Sequence, residues 1–409
     1  MNVFLQTSTK LIQEKIQVTG SKSETNRLLM LKAIYPNLTI ENISNSDDAQ
    51  VMQKGLPVIS GVVDIHHAGT AMRFLTAFFA TTEGREVILT GSGRMKERPI
   101  KILVDALAQL GAEISYVEEE GYPPLKIKGK KITASKVSLA ANVSSQYISA
   151  LLLNAPKLDN GLELTLEGEI TSVPYIKMTL ALLKEIGITT SFEGQVIRIT
   201  PKNKVARRNI VVESDWSSAS YFYSIAALSN VGTQITLSAY KNTSLQGDSV
   251  LQEIYTQFGV TTSFNEHFIT LKKENECEIE KFTFDLSNAP DIAQTIAVTC
   301  FGLGIACDLS GLHTLKIKET DRLVALKNEL SKFGAYVDIT DKELFLHENS
   351  EGYNKNISIE TYNDHRMAMA FAPLALKVPF TVLDAEVVSK SYPDFWSDME
   401  KLHFQVTKQ

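Results

Sequence analysis

The sequence predicts an α/β protein of two domains, each built from three repeat units. Three observations carry this expectation. A short polar segment running into an Ala-rich apolar helix pattern recurs six times along the chain. Each recurrence leads into strand-like alternation of apolar residues. Finally, 409 residues, 44% of them apolar and 22% charged, are ample for two cores and more than one ordinary core organises.

The helix patterns come in order as GSKSETNRLLMLKAI from Gly20, HAGTAMRFLTAFFA from His67 and NVSSQYISALLL from Asn142. They continue as SDWSSASYFYSIAAL from Ser214, APDIAQTIAVTC from Ala289 and YNDHRMAMAFAPLAL from Tyr362. Ser, Thr, Asp or Asn stands at each start, as a helix N-cap requires. Apolar residues then return at three- and four-residue spacing. The strands that follow read LTIENI, VILTGS, LELTLEGE, TQITLSAY, ACDLSG and FTVLDAE. Second helices come next, such as RPIKILVDALAQLGAEI and DRLVALKNELSKFGAYV, most of them stopped by a glycine. The basic, apolar-poor stretch KNKVARRN, residues 202–209, separates the third unit from the fourth. One crossing between domains is therefore expected near residues 208–213, and the Gly20 region, where the N-terminal segment precedes the first full unit, is the candidate for a second.

Composition excludes several classes of function. A formal net charge of −6 argues against nucleic-acid and membrane-surface partners. Cys277, Cys300 and Cys307 form no Cys-x-x-Cys pair and suit small buried hydrophobes better than disulfides or zinc ligands. The histidines are scattered and no HExxH is present, so no metal is expected. There is no GxSxG elbow and no Walker loop. The N-terminus does not read as a signal peptide, and no apolar run is long enough to span a bilayer. A cytoplasmic protein is expected, and a monomer, since no extra interface element is evident.

The chemistry is concentrated at helix starts, where free backbone N–H groups and a partial positive charge favour anions. Cations cluster there: Lys22, Arg27, Arg73, then Arg94, Lys96 and Arg98 in GRMKERP, Lys318 and Arg322 in KETDR, Arg366 in NDHR, and Lys390 in SKSYPDF. Each alone reads as a solvated surface charge. Their recurrence at one kind of position suggests a binding site for carboxylates and phosphates. Asp291, Glu319, Asp321 and Asp364 lie among them. Asp291 suits a helix cap as well as a general base, and Glu319 an ion pair as well as a proton donor. This reading ends at a cleft for a multiply anionic small molecule.

GSKSETNR, AGTAMRFL, RMKERPI, SSQYISALL, SVPYI, LQGD, PDIAQTIA, KETDRL, YNDHRMAMAF and SYPDF, in this order, resemble the signature segments of the 5-enolpyruvylshikimate-3-phosphate synthase family. The resemblance implies an inside-out α/β barrel in each domain, three βαβαββ units with helices buried and sheets outside. It also implies that the N-terminal strand belongs with the C-terminal half, so that residues 1–20 plus 212–409 form one domain and 21–211 the inserted other, with an active site in the interdomain cleft completed by domain closure. The expected reaction passes the enolpyruvyl group of phosphoenolpyruvate to shikimate-3-phosphate, with no cofactor. By resemblance, shikimate-3-phosphate is held by Ser23, Arg27, Ser144, Ser145, Gln146, Ser172, Tyr175, Asp291 and Lys318. Phosphoenolpyruvate is held by Lys22, Gly69, Arg98, Gln146, Arg322, Arg366 and Lys390. Lys22, Asp291 and Glu319 are the expected catalytic groups, and glyphosate is the expected competitor of the donor, with Gly69 against it. The chain departs from the family pattern at His67, Phe74, Thr314 and Trp216. The closest alternative is UDP-N-acetylglucosamine enolpyruvyl transferase, which generally carries a loop cysteine where GSGRMKERP has none; a non-catalytic anion binder on the same scaffold is the other.

Overall fold

The computed structural model describes residues 1–9, 11–140, 144–168, 170, 173–266, 268–348 and 352–409. The chain divides into two compact units, Gly20–Val212 and Met1–Thr19 with Glu213–Gln409.

In the Gly20–Val212 unit, α1 (Lys22–Ile34), α2 (Gly69–Ala80) and α3 (Ser145–Asn154) pack pairwise against one another. Every residue of α2 is buried. The reason is visible in GTAMRFLTAFFA: a helix apolar on all faces has no side to offer water. Strands cover these helices. One sheet runs Ser60–Asp64, Glu86–Thr90, Leu125–Lys128, Glu113–Tyr116, and a second runs Lys136–Ala140, Leu162–Glu167, Val196–Ile199, Thr190–Glu193. In each, the first two strands are parallel and flank a central helix, and the rest form an antiparallel hairpin. Leu162, Leu164 and Leu166 are buried while their neighbours are not, the alternation a sheet with one covered face imposes.

The other unit repeats the plan with α4 (Trp216–Leu228), α5 (Ala293–Leu303) and α6 (His365–Phe371). All residues of α4 and α6 are buried. A 3-10 turn, Ala372–Leu376, continues α6, where Pro373 lacks the N–H that an α-helix would use. Three four-stranded sheets cover this unit. The N-terminal strand Val3–Gln6 lies between Phe380–Val382 and Gln405–Lys408.

The two crossings exchange strands. Gln13–Ile16 precedes α1 in sequence but pairs in parallel with Gln234–Ser238, which follows α4. Arg208–Val211 precedes α4 but pairs in parallel with Leu38–Glu41, which follows α1. Leu38–Glu41 and Arg208–Val211 form a sheet of two strands without a hairpin, which is why the first unit of the repeat is short. Among the described residues no helix is long and apolar enough to cross a membrane.

Candidate functional site

Each unit gathers one set of charged side chains at the starts of its central helices. In the Gly20–Val212 unit, Lys22 opens α1 and its Nζ lies 3.7 Å from the carboxylate of Asp48. Arg27 is one turn further on and is buried. It donates to Thr179 (2.8 Å), to the Ser23 carbonyl (2.8 Å), to Ser149 (3.0 Å) and to the Tyr175 carbonyl (3.4 Å). Its guanidinium also stands over the rings of Phe74 and Tyr175, at 5.6 and 5.8 Å. Phe74 thus supplies a cation–π face to Arg27. Burial lowers the Arg27 pKa to about 10, with Tyr175 and then Glu24 opposing the shift, so it stays charged at neutral pH.

The start of α3 carries Ser144, Ser145 and Gln146. Ser144 caps the helix by accepting from the Gln146 backbone N–H at 3.3 Å. The Gln146 amide reaches back to Thr70 of α2, also at 3.3 Å. This ties α3 to the first turn of α2, where Gly69 sits.

Gly69 explains itself by what stands against it. An ideal Cβ there would lie 2.6 Å from Nη1 of Arg98 and 3.1 Å from Cζ. Only a residue without a side chain lets the guanidinium come so close. Arg73, by contrast, is a buried strut. It donates to the Gly69 carbonyl (3.3 Å), to Met95 Sδ (3.5 Å) and to the Pro99 carbonyl (3.1 Å). Arg94 and Lys96 are paired with Glu97 and Glu118 at the surface, at 2.8 and 2.6 Å. Of the three cations in GRMKERP, the structure brings Arg98 alone to the start of α2.

In the other unit, Asp291 lies on a 3-10 turn leading into α5. Its Oδ1 is 2.9 Å from Nη1 of Arg322 and 3.4 Å from Lys318; its Oδ2 is 3.3 Å from Nη2 of Arg366. Glu319 meets Arg322 at 2.9 Å, and Asp364 meets it at 2.6 Å. Both sequence alternatives for Glu319 therefore remain chemically open: it is in an ion pair, beside the carboxylate of Asp291 on the same guanidinium. Burial works against the charge of Arg322, but Asp364, then Glu319 and Asp291, outweigh it and raise its pKa above the ordinary arginine value.

Asp364 is also the N-cap of α6, accepting from the Arg366 backbone N–H at 2.9 Å. The loop before it is strained: Tyr362 and Asn363 have φ of 53° and 55°. The left-handed region costs non-glycine residues on the order of 1–3 kcal/mol each. The Asn363 carbonyl accepts from Lys390 Nζ at 2.5 Å.

Asp248 and Ser217 complete this set, and neither was singled out as a site residue from sequence. Arg366 donates to the Ser217 hydroxyl at 3.3 Å, and Ser217 in turn donates to Asp248. Burial first, then Asp291, pushes the Asp248 carboxyl up to about 7, against the opposing pull of Arg366 and Ser217. Asp248 is the last residue of LQGD, so the signal lay in a segment already recognised. Thr314 Oγ1 is buried with no hydrogen-bond partner among the described residues. Trp216 donates from Nε1 to Glu213 at 2.8 Å. Ser172 lies outside the described residues. Among the described residues no group of His, Cys, Asp and Glu is placed to hold a metal ion.

Three carboxylates held against three cations in one unit, and a lysine, two arginines and a capped Ser-Ser-Gln helix start in the other, are equipment for anionic substrates and proton transfer. The family model described as EPSP synthase (3-phosphoshikimate 1-carboxyvinyltransferase) matches residues 57–399. A 3-phosphoshikimate 1-carboxyvinyltransferase of Bacteroides fragilis (strain YCH46) is 45% identical over 407 residues, 98% of each chain. One of Haemophilus influenzae (strain PittEE) is 36% identical over 426 residues, 96% of each chain. In fold, the chain is similar to the EPSP synthase of Acinetobacter baumannii, with a TM-score of 0.81 over the whole of both chains at 20% identity. It is similar too to the enolpyruvyl transferase NikO of Streptomyces tendae, with a TM-score of 0.73 at 12% identity.

Proposed function

The chain belongs to the EPSP synthase family, and from that premise we propose that Lys22, Asp291 and Glu319 carry its enolpyruvyl transfer from phosphoenolpyruvate to shikimate-3-phosphate. The reaction begins by addition. C3 of phosphoenolpyruvate takes a proton while the 5-hydroxyl of the acceptor attacks C2 and loses its own proton. The resulting tetrahedral intermediate then loses a proton from C3, and phosphate leaves with the C–O bonding pair.

The observation that carries the residue assignment is the sharing of Arg322 by Asp291 and Glu319, each 2.9 Å from it. Two carboxylates on one guanidinium can divide the two proton transfers between them. Glu319 gives the proton to C3, and Asp291 takes the one from the hydroxyl. Lys22 offsets charge as the phosphate departs. Gly69, Arg98, Gln146, Arg322, Arg366 and Lys390 bind the donor. Ser23, Arg27, Ser144, Ser145, Gln146, Ser172, Tyr175, Asp291 and Lys318 bind the acceptor.

Entry of the donor has a structural consequence. Arg322 already spends four of its five N–H groups on three carboxylates, so a substrate carboxylate that binds it in bidentate fashion displaces one of them. Displacement from Glu319 or Asp291 would release the group needed for chemistry. The chain is further proposed to act as a cytoplasmic monomer, which sedimentation at working concentration would check. The test of the function is phosphate release with both substrates and with each alone. Release only when both are present supports the reading; release at the same rate without shikimate-3-phosphate overturns it.

A further inference from the structure

We propose that Tyr147 is a positioning residue for the donor site, its phenol fixing the loop that presents Arg98 to Gly69. The inference rests on the donor role given above to Arg98 and Gly69. Its geometry is independent of that role.

Tyr147 lies in the first turn of α3, directly after Gln146, and is buried. Its hydroxyl donates to the Pro99 carbonyl at 2.6 Å. The same carbonyl accepts from Nη2 of Arg73 at 3.1 Å. Arg73 is itself stacked over the Tyr147 ring, 5.8 Å from its centroid. From there it reaches the Gly69 carbonyl and Met95 Sδ. One carbonyl thus joins three elements: α3 through Tyr147, α2 through Arg73, and the GRMKERP segment itself.

The position of that carbonyl decides where Arg98 points. Pro99 has a fixed φ and no N–H of its own. Anchoring its carbonyl fixes the Pro99–Ile100 peptide, and the locked φ of Pro99 carries that constraint back to the Arg98–Pro99 peptide. On the other side, the Arg98 backbone N–H is held by the Met95 carbonyl at 3.1 Å. With both flanks pinned, the guanidinium is set against Gly69, where an ideal Cβ would be 2.6 Å away. The Tyr147 node also has electrostatic work. Burial first, then the neighbouring Arg98 charge, lowers the Arg73 pKa to about 10, and two guanidiniums this close repel. Carbonyls at Gly69 and Pro99 and the Tyr147 ring face offset that repulsion.

Phenylalanine would fill the same space and keep the ring under Arg73. It would lose only the hydroxyl. The Pro99 carbonyl would still accept from Arg73, so the protein should fold, while the loop would gain freedom. The experiment is Tyr147→Phe, with steady-state phosphate release measured against each substrate. Loss of one neutral hydrogen bond predicts a rise in the donor KM of roughly 2- to 10-fold. The acceptor KM and kcat should stay within about twofold, the split expected of a loosened contact to one substrate. In an Arg98→Ala background the same substitution should change the donor KM by less than about twofold, because there is no guanidinium left to aim.

An unchanged donor KM in Tyr147→Phe would overturn the inference. So would an equal rise in both KM values, which marks a general structural role, or a full effect persisting without Arg98. The unmodified protein, assayed alongside, separates the two levels. If it releases phosphate from the two substrates and Tyr147→Phe matches it, this inference alone fails. If it releases none, the functional reading and this inference fall together.

Discussion

Replacing Gly69 by alanine should weaken donor binding through Arg98. The added methyl would stand 2.6 Å from Nη1 and 3.1 Å from Cζ and Nη2. Ordinary contact begins near 3.4 Å, so the guanidinium must retreat by about 0.8 Å, the difference between 3.4 and 2.6 Å. A side-chain end can move that far without breaking the fold, so the cost falls on function. A hydrogen bond to a charged group contributes about 1.5–3 kcal/mol. Partial loss of the Arg98 contact therefore predicts a donor KM roughly tenfold higher at the lower end of that range. The assay is phosphate release as a function of phosphoenolpyruvate at saturating acceptor, in a cycle with Arg98→Ala. If the methyl acts through the guanidinium, Gly69→Ala should add less than about twofold once Arg98 is gone. Strictly additive effects would refute the reasoning, because the methyl would then be acting elsewhere. Glyphosate inhibition should weaken in Gly69→Ala by more than donor binding does, and an unchanged ratio of the two constants would count against the place given to this glycine.

Other expectations concern the second charged set. Glu319→Gln and Asp291→Asn should lower kcat by roughly 10²–10⁴-fold, far more than they weaken binding of shikimate-3-phosphate read by calorimetry; near-normal turnover in both would overturn their roles. Asp364→Ala removes two bonds to Arg322 and the cap of α6; it should cost about 3 kcal/mol, the lower end for a broken buried pair, since Asp291 and Glu319 still hold Arg322. Urea unfolding would read that loss, and a change under about 1 kcal/mol, no larger than a cap alone, would contradict it. Asp248 gives a pH dependence with a definite sign. Its folded-state pKa is raised from 3.8 to about 7, so its contribution to stability is fully present below about 4 and is lost as the pH rises through about 7. Unfolding free energies of the unmodified protein and Asp248→Asn should therefore diverge across that window, and parallel pH profiles would sink the idea.

Much of this architecture can be read from residues alone, and the remainder has identifiable reasons. The central helices are legible because burial on every face leaves an all-round apolar sequence, as in GTAMRFLTAFFA and SSASYFYSIAAL. The helix starts are legible because caps and cations accumulate there. The pairing partners of Gln13–Ile16 and Arg208–Val211 are not, since they lie 221 and 170 residues away in the chain and pairing at such separation leaves no local trace. Among the cations, GRMKERP offers Arg94, Lys96 and Arg98 as equals. Only the presence of Glu97 and Glu118 beside the first two, and of Gly69 beside the third, separates them. The contacts of Asp248 and Tyr147 were hidden for a similar reason. Each acts through a neighbour distant in sequence, Ser217 or Pro99, and no spacing rule links such pairs. Phe74 read as a departure from a family pattern; in the folded chain it is one of the faces on which Arg27 rests.

The central claim is that this chain transfers an enolpyruvyl group by addition and elimination, with a proton delivered to C3 of the donor. The most direct measurement is the deuterium content of the vinylidene carbon of the product when the reaction runs in D₂O. Addition makes C3 a methyl group containing one solvent-derived hydrogen, and elimination then removes one of the three. The product should carry deuterium on that carbon, and the incorporation should disappear along with phosphate release in Glu319→Gln. Phosphate release from both substrates that yields a vinylidene carbon carrying only protium would contradict it.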